Sequence, residues 1–127
     1  MAERVLIIDD DPEFTASTSD VLEGGDFQVT SSLEGASGFE KAKSEHPDII
    51  LLDVMIEDAG TGLDVARKLR DDEATSGIPV IMMTGIRRAD QLLSSYAPGE
   101  GWPNIKATLE KPVEPEFLIK TVRKALG

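Results

Sequence analysis

Three runs of the sequence are apolar at nearly every position, namely Val5–Ile8, Ile49–Leu52 and Ile78–Met83. A strand with one solvent-exposed face alternates apolar and polar residues, whereas a strand buried on both faces can be apolar throughout. Two further short runs, Phe27–Thr30 and Ala107–Leu109, bring the number of predicted strands to five. The pattern therefore predicts a five-stranded, mainly parallel sheet that is buried on both sides.

Segments with helical periodicity lie between these runs. Asp11 can cap a first helix that has Pro12 at its first position and closes at Gly24-Gly25. Four later segments are predicted as helices: Glu34–Glu45, Thr61–Arg70, Arg88–Tyr96 and Glu114–Leu126. The predicted fold is α/β, a three-layer (βα)5 doubly wound, flavodoxin-like sheet with strand order 2-1-3-4-5.

The length and charge of the chain limit its function. The 127 residues suit one domain covering 1–127, with no attached effector domain expected. A net charge of -11 argues against direct binding to nucleic acid or anionic membranes, since both need basic surfaces. The first apolar run is too short for a signal peptide and no run is long enough to span a bilayer, so a cytoplasmic location is expected. The absence of cysteine excludes thiol catalysis and zinc–thiolate sites.

Polar residues close four of the predicted strands. Carboxylates follow the first and third strands, a hydroxyl the fourth and an ammonium the fifth: Asp9-Asp10-Asp11, Asp53, Thr84 and Lys111. Each residue alone has a plain structural explanation, such as a helix cap, a β-forming residue or an exit turn. Because the carboxyl ends of parallel strands meet at one edge of the sheet, the set predicts a single acidic pocket containing one lysine.

The electrostatics of such a pocket favour a cation. Two carboxylates about 5 Å apart repel each other by roughly 3 kcal/mol at an effective dielectric near 20. Asp9, Asp10 and Asp53 would therefore either titrate at higher pH or recruit a counterion. A hard divalent ion suits these oxygen ligands, with Mg²⁺ as the expected cofactor and Mn²⁺ as an alternative. With Lys111 and Thr84 these groups could clamp a phosphoryl group, and Asp53 would be the nucleophile that becomes an acyl phosphate.

The sequence resembles the response-regulator receiver domain, the phospho-acceptor module of two-component signal transduction, with a fold like that of the chemotaxis regulators. The resemblance covers essentially the whole chain. It rests on IIDDD at 7–11, LLDVM at 51–55, GLDVARKLR at 62–70, TG at 84–85 and EKPV at 110–113.

The resemblance implies roles for the acidic residues. Asp53 would accept a phosphoryl group from a histidine kinase, a phosphotransfer protein or a small phosphodonor. Asp10 would bind Mg²⁺ directly and Asp9 largely through water. The metal would also contact Asp53 and the backbone carbonyl of Met55.

The resemblance also implies roles at the last two strands. Lys111 would pair with Asp53 and then with a phosphoryl oxygen, and Thr84 would move toward the phosphoryl group. The Lys111-Pro112 peptide bond is expected to be cis. Thr108 stands where the family has its switch aromatic, so coupling of Thr84 to a rotating ring is not expected here.

The expected function is a phospho-acceptor switch that assists its own phosphorylation and dephosphorylation and is not otherwise an enzyme. Its output would be altered contact with a downstream protein, and a phosphorylation-dependent dimer is compatible with this. One alternative is a binding module with a receiver fold that works without phosphorylation. Another is a phosphatase with Asp9 as nucleophile and Asp11 two residues on, which leaves Asp53 unexplained. A flavin carrier is disfavoured because the Asp-Asp-Asp-Pro loop would repel the flavin phosphate.

Overall fold

The computed structural model describes residues 3–54, 61–85 and 103–127. Its strands are β1 (Arg4–Ile8), β2 (Gln28–Ser32), β3 (Ile49–Asp53), β4 (Val80–Gly85) and β5 (Ile105–Lys111). Its described helices are α1 (Pro12–Gly24), α2 (Gly35–Glu45), α3 (Thr61–Asp71) and α4 (Pro115–Leu126). Within these ranges no helix is both long and apolar enough to cross a bilayer.

The five strands form one sheet in the order β2-β1-β3-β4-β5, and every neighbouring pair is parallel. This confirms the predicted fold class and strand order. Helices α2 and α3 pack on one face of the sheet and α1 and α4 on the other. The parallel arrangement brings the carboxyl ends of all five strands to one edge of the sheet.

Alternate residues of β1 explain why that strand is apolar throughout. Leu6 and Ile8 belong to the hydrophobic cluster under α2 and α3, whereas Val5 and Ile7 belong to the cluster under α1 and α4. Burial of one such side chain contributes roughly 1.5–3 kcal/mol. Each face of the strand thus packs against its own pair of helices.

The observed strand boundaries differ from the predicted ones where polar residues extend a ladder. The second strand was predicted at Phe27–Thr30, but it runs from Gln28 to Ser32 because Ser31 and Ser32 pair with Ile7 and Ile8. As an edge strand, β2 is only half covered, so its residues alternate in burial and do not form an apolar run.

The last two strands also differ in extent. The fourth was predicted from Ile78 but begins at Val80, because Pro79 has no N–H to donate to the ladder. The fifth was predicted at Ala107–Leu109 but covers Ile105–Lys111, because Ile105 and the polar residues Glu110 and Lys111 also pair with β4. The helix predicted near 88–96 lies outside the described residues.

Helix α1 begins as predicted. The Asp11 carboxylate accepts hydrogen bonds from the backbone N–H groups of Glu13 and Phe14, at 3.0 and 3.3 Å, and Pro12 occupies the first turn. The helix ends at Gly24, and the N–H of Gly25 donates to carbonyls of the last turn. The cap fixes the first turn of α1, including Phe14, beside the carboxyl edge of the sheet.

Candidate functional site

Three aspartates meet at the carboxyl edge of β1 and β3. Asp9 follows β1 and is 1% exposed, Asp53 ends β3 and is 7% exposed, and Asp10 is exposed. One carboxylate oxygen from each of the three lies within 4.8 Å of the others. The predicted convergence of these side chains is therefore present in the fold.

Lys111, the last residue of β5, reaches the same cluster. Its Nζ donates to Oδ2 of Asp9 at 2.7 Å and to Oδ2 of Asp53 at 3.5 Å. The resemblance implied pairing with Asp53, and the structure adds a shorter contact with Asp9. This contact is favoured because the Asp11 N–H donates to Asp9 Oδ1 at 2.9 Å and fixes the carboxylate.

A shared strand face explains why these three groups can touch. Each of the three charged residues lies two positions after a member of the hydrophobic cluster under α1 and α4. Asp9 follows Ile7, Asp53 follows Leu51 and Lys111 follows Leu109 in this way. Because side chains alternate along a strand, residues two apart point to the same side. The three charged groups therefore lie on the face of the sheet that packs against α1 and α4, at the edge where α1 begins.

The buried carboxylate of Asp9 is electrostatically costly. Burial raises its pKa above the ordinary value of 3.8, and the charge of Asp53 adds to this effect. The hydrogen bonds from Lys111 and from the Asp11 N–H oppose the rise in pKa without cancelling it. The site therefore gains from additional positive charge near Asp9.

Thr84 lies at the same edge of the sheet. It is fully buried in β4 and pairs with Glu110 of β5, while the next residue, Gly85, pairs with Lys111. The register thus places Thr84 one residue along the ladder from the residue that pairs with Lys111.

The position of Phe14 was not expected from the sequence. The centroid of its ring lies 4.1 Å from Nζ of Lys111, so the ring and the two carboxylates surround the ammonium. The only sequence signal is an aromatic residue in the first turn of a helix that leaves the acidic edge. Such a position does not by itself identify which cation the ring contacts.

Three other sequence predictions concern the rim of the site. The Lys111-Pro112 peptide bond is cis, the isomer that the resemblance implies. Met55, the predicted carbonyl ligand, lies outside the described residues. Thr108, at the switch-aromatic position, pairs with Met82, and its buried hydroxyl has no hydrogen-bond partner within the described ranges.

A glycine holds the start of α3 against the end of β3. The Gly62 N–H donates to the carbonyl oxygen of Val54 at 3.1 Å. A Cβ at Gly62 would overlap the carbonyl oxygen of Asp53 and would lie 2.6 Å from backbone atoms of Val54. The backbone of the candidate acceptor is therefore positioned by a contact that only glycine permits.

The donor set fits a hard divalent cation. Asp9, Asp10 and Asp53 offer only carboxylate oxygens, the ligands that Mg²⁺ and Mn²⁺ accept. Asp10 is exposed, so an ion bound there could keep several waters, as Mg²⁺ usually does. Burial raises the pKa of Asp9, so a cation bound beside it would favour the ionised carboxylate.

Comparison with known proteins gives consistent matches. The profile of the response regulator receiver domain matches residues 5–123. The DNA-binding dual master transcriptional regulator RpaA of Synechocystis is 33% identical over 123 residues, which are 97% of this chain and 48% of RpaA. Protein PilH of Pseudomonas aeruginosa is 32% identical over 124 residues, which are 98% of each protein.

A solved structure supports the same assignment. The CheY-like response regulator receiver domain protein of Methanospirillum hungatei superposes with a TM-score of 0.79 at 25% identity, covering 99% of this chain and 94% of that one. The chain thus spans about half the length of RpaA and nearly all of PilH. From the profile match, the relatives and the shared fold together, the chain belongs to the response regulator receiver domain family of two-component systems.

Proposed function

We propose that the chain is a phospho-acceptor switch in a two-component or phosphorelay pathway. Asp53 takes a phosphoryl group from a phosphohistidine, or from a small phosphodonor, in a reaction that depends on Mg²⁺. The observation that supports this most strongly is the Lys111 ammonium between Asp9 and Asp53, beside a three-carboxylate cluster. These are the groups that phosphoryl transfer to a carboxylate needs for charge neutralisation and positioning.

The contacts of Asp9 disfavour that carboxylate as the nucleophile. Both oxygens of Asp9 accept short hydrogen bonds, Oδ1 from the Asp11 N–H and Oδ2 from Lys111. The contact from Lys111 to Asp53 is longer, at 3.5 Å. In the proposed transfer an Asp53 oxygen forms the new O–P bond as the N–P bond of the phosphohistidine breaks, and the histidine leaves with a proton.

In this proposal the Lys111 ammonium changes its partner during the transfer. Before transfer its ammonium offsets the negative charge of Asp9 and Asp53. After transfer the added phosphoryl oxygens are the stronger acceptors, so the ammonium moves toward them. A lysine is suited to this because its charge sits on a flexible stem with three donors.

The acidic cluster would hold the metal. Asp9, Asp10 and Asp53 are the described residues that would bind Mg²⁺. When bound, the ion supplies positive charge that offsets the repulsion between the carboxylates and the incoming phosphoryl oxygens. In this proposal the chain acts on itself and is not an enzyme in the ordinary sense, and phosphorylation changes its contacts with a downstream protein.

The phosphatase alternative conflicts with the contacts of Asp11. That mechanism would use Asp9 as nucleophile with Asp11 as a second reacting carboxylate. The Asp11 carboxylate instead caps α1 by accepting from the N–H groups of Glu13 and Phe14. A carboxylate held in this way is poorly placed to transfer protons.

The proposal is tested by incubating the protein with acetyl phosphate and Mg²⁺ and measuring its intact mass. We expect the mass gain of one phosphoryl group, lost on removal of Mg²⁺ and in Asp53→Asn. The matched control is Asp20→Asn, which neutralises an exposed aspartate of α1 and should label like the wild type. An unlabelled wild type would favour a binding module that works without phosphorylation, and label lost only in Asp9→Asn would favour the phosphatase.

A further inference from the structure

The ammonium of Lys111 has a neighbour that the proposed chemistry does not use. Besides the carboxylates of Asp9 and Asp53, the ring of Phe14 lies against it, with 4.1 Å between Nζ and the ring centroid. A cation within about 6 Å of a ring centroid is attracted by the negative face of the ring. The aromatic side chain thus forms one wall of the lysine's site.

We propose that Phe14 is a positioning residue that keeps the Lys111 ammonium beside the acceptor while the lysine changes its carboxylate partner. The inference rests on the proposed phospho-acceptor function and adds a residue to it. Hydrogen bonds to Asp9 and to a phosphoryl group require defined directions, whereas attraction to a ring face tolerates small lateral shifts of the cation. The ring can therefore hold the ammonium through the move from Asp9 toward a phosphorylated Asp53.

The position of the ring is itself well defined. Phe14 lies in the first turn of α1, where its N–H donates to the Asp11 carboxylate. The side chain also packs against the cluster under α1 and α4, although it remains half-buried. A cap on one side and core packing on the other leave the ring little freedom to turn away from Lys111.

A second phenylalanine provides a comparison in the same chain. Lys43 lies over the ring of Phe39 at 5.4 Å, and its Nζ pairs with Asp72 at 3.6 Å on the surface. The Lys111 ammonium is closer to its ring, and its carboxylate partners are almost fully buried. Because water screens charge less in a buried site, the Phe14 contact should be the stronger of the two.

Loss of the ring should slow transfer without weakening metal binding. Phe14→Leu largely keeps the apolar volume. Without the ring, however, the Lys111 ammonium is more exposed to water and occupies a less well-defined position. We expect the rate constant for phosphorylation by acetyl phosphate to fall about threefold to tenfold, the range that a cation–π contact of ordinary strength gives. The affinity for Mg²⁺ should stay the same or rise, since a competing cation is held less firmly near the carboxylates.

The matched variants separate this role from general packing. Phe14→Tyr keeps the ring and should keep the rate. Phe39→Leu removes a half-buried ring under the other face of the sheet and should lower stability comparably while leaving the rate unchanged. In a Lys111→Met background, which lacks the ammonium, Phe14→Leu should cause no further loss.

A chemical shift tests the contact independently of phosphoryl transfer. The ring should displace the NMR resonances of the Lys111 side-chain methylene next to Nζ upfield in the wild type and in Phe14→Tyr, and the displacement should vanish in Phe14→Leu. Two results for Phe14→Leu would each overturn the inference: unchanged Lys111 resonances, or an unchanged rate of phosphorylation. A third would be that Phe14→Leu lowers the rate as much in the Lys111→Met background as in the wild type. A wild type that shows the displaced resonances but takes no phosphoryl group would instead contradict the proposed function.

Discussion

Lys111 donates a 2.7 Å hydrogen bond to Oδ2 of Asp9, which lies 102 positions earlier in the chain. One residue ends the edge strand β5, and the other follows the inner strand β1, with β3 and β4 between them in the sheet order. The contact can exist only when the sheet is complete, so the lysine site forms together with the fold. The ammonium offsets part of the charge that the buried aspartates concentrate at this edge.

Lys111→Met should destabilise the protein in the absence of metal. Asp9 and Asp53 would then repel each other without a cation between them, at a cost of about 1–3 kcal/mol in the free energy of unfolding. Added Mg²⁺ should restore more stability to this variant than to the wild type. Urea unfolding with and without MgCl₂ measures both effects.

The control for this variant is Lys120→Met, which removes an exposed ammonium of α4 and should change stability little. Equal stability of Lys111→Met and Lys120→Met in metal-free buffer would show that Lys111 does not offset the buried charge.

Asp9 should make the metal-free fold less stable as the pH rises. Its folded pKa is raised above the ordinary 3.8, mainly by burial, so the folded state binds more protons than the unfolded state between the two pKa values. The contribution of Asp9 to the free energy of unfolding therefore falls through that pH window. Above the window the full penalty of the buried charge is present.

Asp9→Asn should remove this dependence and be more stable than the wild type at neutral pH without Mg²⁺. Chemical unfolding from pH 3.5 to 7.5 provides the comparison, with Asp20→Asn as the control. If Asp9→Asn were less stable than the wild type at pH 7, the Lys111 hydrogen bond would outweigh the burial penalty, and the ionised Asp9 would stabilise the fold.

Mg²⁺ should raise the free energy of unfolding by mass action. An ion that binds only the folded state contributes about 2.7 kcal/mol at about one hundred times its dissociation constant. Asp10→Asn should reduce this increment while changing metal-free stability little, because Asp10 is exposed. Unfolding midpoints measured over a MgCl₂ series give the dissociation constant for each variant, and equal constants for Asp10→Asn and wild type would exclude Asp10 as a ligand.

Gly62→Ala should damage both stability and phosphorylation. The added methyl would overlap the carbonyl oxygen of Asp53, so either α3 or the end of β3 must shift, at a cost of about 1–3 kcal/mol. The control is Gly77→Ala, whose Cβ would meet no atom within 4 Å. Thermal unfolding and acetyl phosphate labelling of the two variants test this, and equal behaviour would contradict the close approach.

Residues that end buried strands could be placed from the sequence alone. Continuous apolar runs indicate a sheet covered on both faces, and in such a sheet the strand ends share one edge. Asp9, Asp53 and Lys111 could thus be grouped by their positions at the ends of apolar runs. The edge strand β2 was harder to delimit, because pairing with β1 outweighs the weak strand preference of Ser31 and Ser32.

Contacts between side chains were less predictable. Two carboxylates compete for the Lys111 ammonium, and which one lies closer depends on the N–H of Asp11, a local backbone detail. The contact with Phe14 depends on the rotamer of the ring and on how α1 packs against the sheet. Neither feature has a periodic signature in the sequence.

The most direct test of Asp53 as the phospho-acceptor is the site of covalent labelling. The protein is incubated with acetyl phosphate and Mg²⁺, the acyl phosphate is reduced with borohydride, and the peptides are analysed by mass spectrometry. We expect homoserine at position 53, with Asp9 and Asp10 unmodified. Homoserine at position 9, or no reduced aspartate in a protein that binds Mg²⁺, would contradict the assignment of Asp53.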